Sequence, residues 1–189
     1  MTHPARPLRA DAQRNRDRLL EAALRAFANE PSDEVTLERV ARDAGVGIGT
    51  LYRHFPTREA LIEEVYRAEL TRLCESAPRL LADLAPDAAL RAWMDAFIDY
   101  SATKRGLAEA LRTVIAAGGQ PFAQSRARME SALAELLAAG AGSGLRQDVD
   151  PYDVLVALSS VSLWVSEPQR RAQGGRVLDL LMDGLRFAR

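Results

Sequence analysis

Between Thr36 and Arg58 the chain reads TLERVARDAGVGIGTLYRHFPTR. Thr50, Tyr52, Arg53 and His54 supply in close succession a hydroxyl, a phenol, a guanidinium and an imidazole. These are groups that contact phosphates and hydrogen-bond to the edges of base pairs. Enzyme chemistry has much less to work with. The only histidines are His3 and His54, so no histidine-based triad or zinc cluster can be assembled. The GVGIG run from Gly45 to Gly49 lacks the preceding strand and the full glycine fingerprint of a nucleotide loop. Paired acids such as Glu63 and Glu64, or Asp148 and Asp150, read as solvated helix and loop charges. No catalytic residue, metal site or cofactor is expected.

Holding such a row of polar groups against a duplex takes a rigid support, and the same segment supplies one. Leu37, Val40, Ala41 and Ala44 recur at helical spacing, Gly45 interrupts, and a second run carries Val46, Leu51 and Phe55. A sharp turn between two helices needs positive φ, which glycine adopts at little cost. Ala41 is small enough for the second helix to cross closely over the first. The pattern predicts a helix-turn-helix whose second helix lies in a DNA major groove. Gly47, Ile48 and Gly49 open that second helix with almost no side-chain bulk, so its first amides can come close to a phosphate. Thr36 and Thr57 are expected to cap the first helix of the pair and the helix that begins at Arg58, where Glu59 suits the first turn. The Thr36 hydroxyl is alternatively a phosphate ligand.

Thr36, Val40-Ala41, Ala44-Gly45-Val46, Gly49-Thr50-Leu51-Tyr52 and His54-Phe55-Pro56, followed by Arg58-Glu59 and Leu61, together resemble the DNA-binding domain of TetR-family transcriptional regulators. The resemblance extends upstream through Arg14 to Phe27, roughly the first third of the chain. The chain departs from the family at Gly47 and Ile48, where a serine and a lysine are frequent, and at Arg58, where lysine is frequent and the charge is kept. By resemblance the DNA-binding residues are Thr36, Gly47, Ile48, Gly49, Thr50, Tyr52, Arg53, His54 and Arg58. The resemblance also implies a homodimer that binds a palindromic operator, a repressor rather than an activator, and a C-terminal domain that binds a small molecule.

Length and composition set the remaining bounds. A chain of 189 residues with 48% hydrophobic content can bury a sizeable core as one medium domain or as a small domain fused to a larger one. Its 25 basic and 26 acidic residues give a formal net charge of −1, so DNA binding must come from local clustering rather than a global basic field. Lys104 is the one lysine; arginine carries nearly all positive charge. The single cysteine, Cys74, has no internal disulfide partner and reads as a small packed residue, with a redox sensor as the alternative. No stretch approaches the roughly 18 consecutive apolar residues of a membrane span. The N-terminal arginines are not followed by the apolar run of a secretory signal, so a cytoplasmic protein without a membrane partner is expected.

Taken in order, Met1 to Leu8 holds two prolines and is expected to be a disordered arm. Arg6, Arg9, Arg14, Arg16 and Arg18 lie along it and just beyond, either as a solvated tail or against the DNA backbone. Helix one is expected from Asp11 to Asn29, with Leu19, Leu20, Ala23, Leu24 and Phe27 buried. After the helix-turn-helix, a fourth helix from Thr57 to about Ser76 links the DNA module to the rest. Further helices are expected over Pro86 to Lys104, Gly106 to Ala117 and Pro121 to Ala139, before a flexible glycine-rich loop at Gly140 to Gly144. Asp150-Pro151 starts a helix to Val165 that is apolar nearly all round, and a last helix lies within Pro168 to Arg189. No strand pattern or repeat interrupts this series.

The fold class is therefore all-α, with about nine helices. A three-helix DNA-binding domain with its arm occupies residues 1–56, with the motif at about 36–55. A linking helix spans 57–77, and a helical ligand-binding and dimerisation domain spans 78–189. A helix apolar on more than one side needs a second cover, which points to self-association through Val154, Leu158, Val161, Val177, Leu181 and Leu185. Trp93, Met94, Phe97, Tyr100, Phe122 and Met129 are candidate walls of a pocket for a small apolar or amphipathic effector, although side chains at such helical spacing are more often plain core. The competing functions are a helical interaction or small-molecule-binding module that does not bind DNA and, last, an all-α enzyme.

Overall fold

The structure, a computed structural model, describes residues 5–165 and 171–186, with the backbone alone for residues 5–9 and 32. Among the described residues there are nine α-helices, two short 3-10 turns and no strand beyond one isolated bridge between Leu145 and Arg186. The all-α reading and the helix number both hold. The chain divides into two compact units: residues up to Ala68 together with Lys104–Pro121, and Glu69–Thr103 together with the chain from Phe122 onwards.

The first unit is built on α1 (Ala5–Asn29), α2 (Leu37–Asp43), α3 (Ile48–His54), the start of α4 (Arg58–Asp83) and α6 (Ala108–Ala116). Helix α1 begins before the expected Asp11, so residues 5–8 are helical rather than an arm; residues 1–4 lie outside the described residues. Proline at position 7 does not prevent this, because the first turn of a helix has no internal acceptor for the amide that proline lacks. Three arginines of helix α1 are engaged within the protein. Arg14 pairs with Asp11, Arg18 bonds Asn15, and Arg16 pairs with Glu64 of α4 while its guanidinium lies 5.8 Å from the Phe55 ring centre. Leu19, Ala23 and Phe27 of α1 are buried with Val40, Leu51, Phe55, Leu61, Ile62 and Val65. Gly106 explains why the α6 segment belongs here rather than with the later chain: a Cβ at that position would sit 3.4 Å from the Ala28 backbone.

In the second unit the remainder of α4 packs with α5 (Pro86–Gly106), α7 (Ser125–Ala139), α8 (Pro151–Trp164) and α9 (Arg171–Leu185). Helix α4 does not stop at Ser76 but runs through Pro78 to Asp83. Around it, Ser76 Oγ and Trp93 Nε1 donate to Leu73 O at 2.7 and 3.0 Å, and Arg79 Nε donates to Glu75 O at 3.0 Å, so side chains add hydrogen bonds to the turn that holds the proline. The expected loop at Gly140 is likewise ordered, a 3-10 turn in which Gly140 is buried against Leu145. In α9 a Cβ on Gly174 would fall 2.4 Å from Val165 Cγ2, so glycine permits that approach.

Ion pairs clasp α9 to α5. Arg91 binds Asp95 and Asp179 and donates to Gly175 O at 3.2 Å; Arg171 reaches Asp95 and Asp99, each at 3.2 Å; Arg186 reaches Asp87 at 3.1 Å. Partly exposed pairs contribute little singly, but a network between two helices fixes which side of each faces out.

Candidate nucleic-acid interface

The turn between α2 and α3 is a Schellman motif. Gly45 has φ +62°, its N–H donates to Arg42 O at 3.0 Å, and the Val46 N–H donates to Ala41 O at 2.9 Å. Thr36 caps α2 as expected, its Oγ1 accepting from Arg39 N at 3.2 Å, and Arg39 forks onto Glu30, with Nη2 to Oε1 at 2.7 Å. The Thr36 side chain remains exposed, and a capping hydroxyl that accepts from its helix still has a proton to donate. Thr57 caps α4 in the same way, accepting from Ala60 N at 3.1 Å.

Helix α3 is anchored by one buried side chain, Leu51, and by Phe55 just past its end, whose N–H donates to Leu51 O at 2.8 Å. With Leu51 facing the core, helical spacing turns Gly49 and Arg53 directly outward. Ile48 and Tyr52 take one shoulder and Thr50 and His54 the other. The exposures follow that order: Gly47, Ile48, Gly49, Tyr52 and Arg53 are exposed, while Thr50 and His54 are half-buried. Eight of the nine predicted contact residues lie on this helix, at its cap or at the Thr36 cap beside it. The ninth, Arg58, is half-buried at the start of α4 with its guanidinium 5.0 Å from the Phe27 ring centre, so it also packs the first unit.

Of the six predicted pocket residues, Trp93, Met94, Phe97 and Tyr100 are buried along α5, where the three rings form a ladder with centroid spacings of 6.0 Å for Trp93–Phe97 and 6.2 Å for Phe97–Tyr100. Phe122 is 40% exposed, because α7 starts at Ser125 and not at Pro121, which leaves Phe122 in a turn outside the helix stripe. Met129 is half-buried. A cleft of about 250 Å3 does lie between α4 and α5, lined by Glu69, Arg72, Leu73, Ser76, Ala96, Asp99, Tyr100 and Thr103, and of the six only Tyr100 reaches it.

Its charges already have partners: Glu69 pairs with Arg72 at 2.8 Å and Asp99 with Arg171. Burial pushes the Glu69 carboxyl up, and the Arg72 charge only partly opposes it. Folding therefore disfavours ionised Glu69. The penalty is absent where both states hold the proton, below the ordinary carboxyl range, and is complete above the folded-state value. Glu69→Gln should raise the thermal midpoint at pH 7 and lose that gain as the pH falls from the raised folded-state value to the ordinary carboxyl range, measured by calorimetry at a series of pH values.

Cys74 is half-buried beside Arg128, and burial pushes its thiol up despite that charge. A protonated thiol is a poor nucleophile, in keeping with a packing role.

The predicted dimer residues divide unevenly. Val154, Leu158 and Leu185 face the interior of the unit and are buried, so they cannot be an interface; Val161 and Leu181 are half-buried, and Val177 is at the surface. The apolar side chains that do face out are Tyr152, Val156, Leu163 and Trp164 on α8 and Val177 and Leu180 on α9. Both Leu163 and Leu180 are 70% exposed, and with the other four they leave six large apolar side chains on two adjacent helices without cover. Residues 152, 156 and 163 share one side of α8, displaced from the buried 154 and 158, and spacing alone could have revealed that stripe had the opposite face not been apolar too.

Among the described residues no helix is long and apolar enough to cross a membrane, and no cluster of three histidine, cysteine or acidic side chains could hold a metal ion.

Residues 19–65 match the family model for bacterial regulatory proteins of the tetR family, and residues 85–187 match the C-terminal domain of SbtR-like transcriptional regulators. The crystal structure of a TetR transcriptional regulator from Streptomyces coelicolor is 52% identical, covers 92% of this chain and 99% of that one, and superposes with a TM-score of 0.86. A TetR transcription regulatory protein from Mycobacterium vanbaalenii is 37% identical, covers 96% and 100%, and gives a TM-score of 0.77. An HTH-type transcriptional regulator of Staphylococcus aureus is 38% identical over 63 residues, and that match spans only 33% of this chain and 34% of that protein.

Proposed function

The chain belongs to the TetR family of DNA-binding transcriptional regulators, and from that premise we propose that it acts as a homodimeric, effector-responsive repressor of a palindromic operator. The observation that carries the reading is the outward side of α3. Ile48, Gly49, Tyr52 and Arg53 stand clear of the protein on a helix fixed beneath by Leu51. Such a helix fits the major groove, its first residues meeting base edges and the flanking hydroxyls and guanidinium meeting phosphates. Thr36, Gly47, Thr50, His54 and Arg58 complete the contact set.

Two copies joined through the exposed α8 and α9 side chains would carry two such helices. A twofold dimer sets them about 34 Å, or a small multiple, apart and so selects a palindrome. A small amphipathic effector is expected to bind the second unit and to favour a dimer whose head spacing fits the operator poorly. Affinity then falls by the difference in its binding to the two states. Helix α4, which begins in the first unit and continues into the second, offers the covalent route for that coupling. A role in the cytoplasm accords with such a target.

The test is titration of the purified chain into a mixed-sequence genomic duplex at several salt concentrations. With four or more phosphates contacted per dimer, the binding constant should fall by at least about a hundredfold from 50 to 200 mM salt. Binding that ignores salt, or none at all, would favour a helical interaction module instead.

A further inference from the structure

On the reading that α3 enters a major groove, we infer that Ile48 recognises the C5-methyl group of a thymine in each operator half-site. Ile48 is the first residue of α3 and stands between two glycines. A Cβ placed on Gly47 or on Gly49 would meet nothing within 4 Å, so the positions on either side of the isoleucine are open and carry no side chain. It is 39% exposed, and Tyr52, one turn on along the same shoulder, is 45% exposed.

The leading residues of a recognition helix are the ones that meet base edges. A hydrocarbon side chain there neither donates nor accepts, and this decides what it can read. Guanine, adenine and cytosine present hydrogen-bonding groups to the major groove and no methyl, and thymine alone adds one. Isoleucine laid over a polar edge strips water from it without replacing the lost bond, which is unfavourable. Laid over the methyl, it removes apolar surface from water on both sides. Gly47 and Gly49 supply the other condition. Without Cβ atoms the backbone can come close to the base-pair edge, so that a side chain as short as isoleucine makes van der Waals contact. Thr50 and Arg53, on other sides of the helix, are left to the polar partners.

The test uses the full-length protein and a duplex obtained by selection, with each half-site thymine replaced in turn by deoxyuridine, which deletes one methyl. At one symmetric position the replacement should weaken wild-type binding about fourfold per half-site and more than tenfold in both. That is the factor given by about 0.8 kcal/mol per buried methyl at about 1.4 kcal/mol per tenfold. Ile48→Ala should be indifferent to that methyl and Ile48→Val should keep the discrimination, with both variants melting like the wild type. A wild type that binds the selected duplex yet tolerates deoxyuridine at every thymine, or Ile48→Ala with undiminished discrimination, overturns the assignment to Ile48 while leaving the DNA-binding reading intact. Failure to recover any preferred duplex overturns both.

Discussion

Alanine at both Tyr52 and Arg53 will weaken operator binding by about a hundredfold or more and leave the melting temperature of the protein where it was. Each side chain occurs twice in a dimer, and a lost contact to a phosphate or base edge costs roughly 1–3 kcal/mol. Even at the lower end, four lost contacts exceed two factors of ten. Neither residue supports the fold. Both are exposed, and surface substitutions of that kind usually change stability by less than about 0.5 kcal/mol. The contrast is Leu51→Ala one position earlier, which removes a fully buried side chain and should cost about 2–5 kcal/mol of stability. Anisotropy titration together with thermal melting separates the two outcomes. Arg58 is the less informative target, since its guanidinium also lies over the Phe27 ring.

Aspartate at both Leu163 and Leu180 should convert the dimer to monomers at micromolar concentration, raising the dissociation constant at least a hundredfold on the order of 3 kcal/mol or more. Twofold symmetry places each new carboxylate in the interface twice, and burying unpaired charge is far costlier than losing a leucine. Because the two side chains are mostly exposed in the single chain, its own core is untouched. Sedimentation velocity would register the change, and operator affinity should fall with it because a monomer holds one half-site. Val154→Ala and Leu158→Ala are the complementary control: they should lower stability, since both side chains are buried, without dissociating the dimer below its melting range.

The helix-turn-helix was legible because its determinants are local. Gly45 adopts the positive φ that its place after a helix suggests, Thr36 and Thr57 cap where an N-cap pattern puts them, and Leu51 and Phe55 alone of the α3 stretch are buried. Helix ends were less so. Proline at position 7 and Pro78 suggest breaks, yet one falls in the first turn, where its missing amide matters little, and the other lies in a turn to which side chains of α4 and α5 add hydrogen bonds at Leu73 O. The second unit was legible as helices but not as surfaces. Helix α8 is apolar around most of its circumference, so periodicity marks no inner face. Val154 and Leu158 lie inward while Val156, Leu163 and Trp164 lie outward, a distinction set by the packing of α8 on α7 and α9. Phe122 shows the same limit at an end: its type suits a pocket wall, but the turn that holds it exposes it.

If the outward side of α3 reads a duplex as one half of a symmetric pair, selection of genomic fragments with the purified chain will enrich one sequence with two inverted half-sites whose centres are about one or two helical turns apart. Fragments recovered with no shared sequence, or with a single unrepeated half-site, would contradict it.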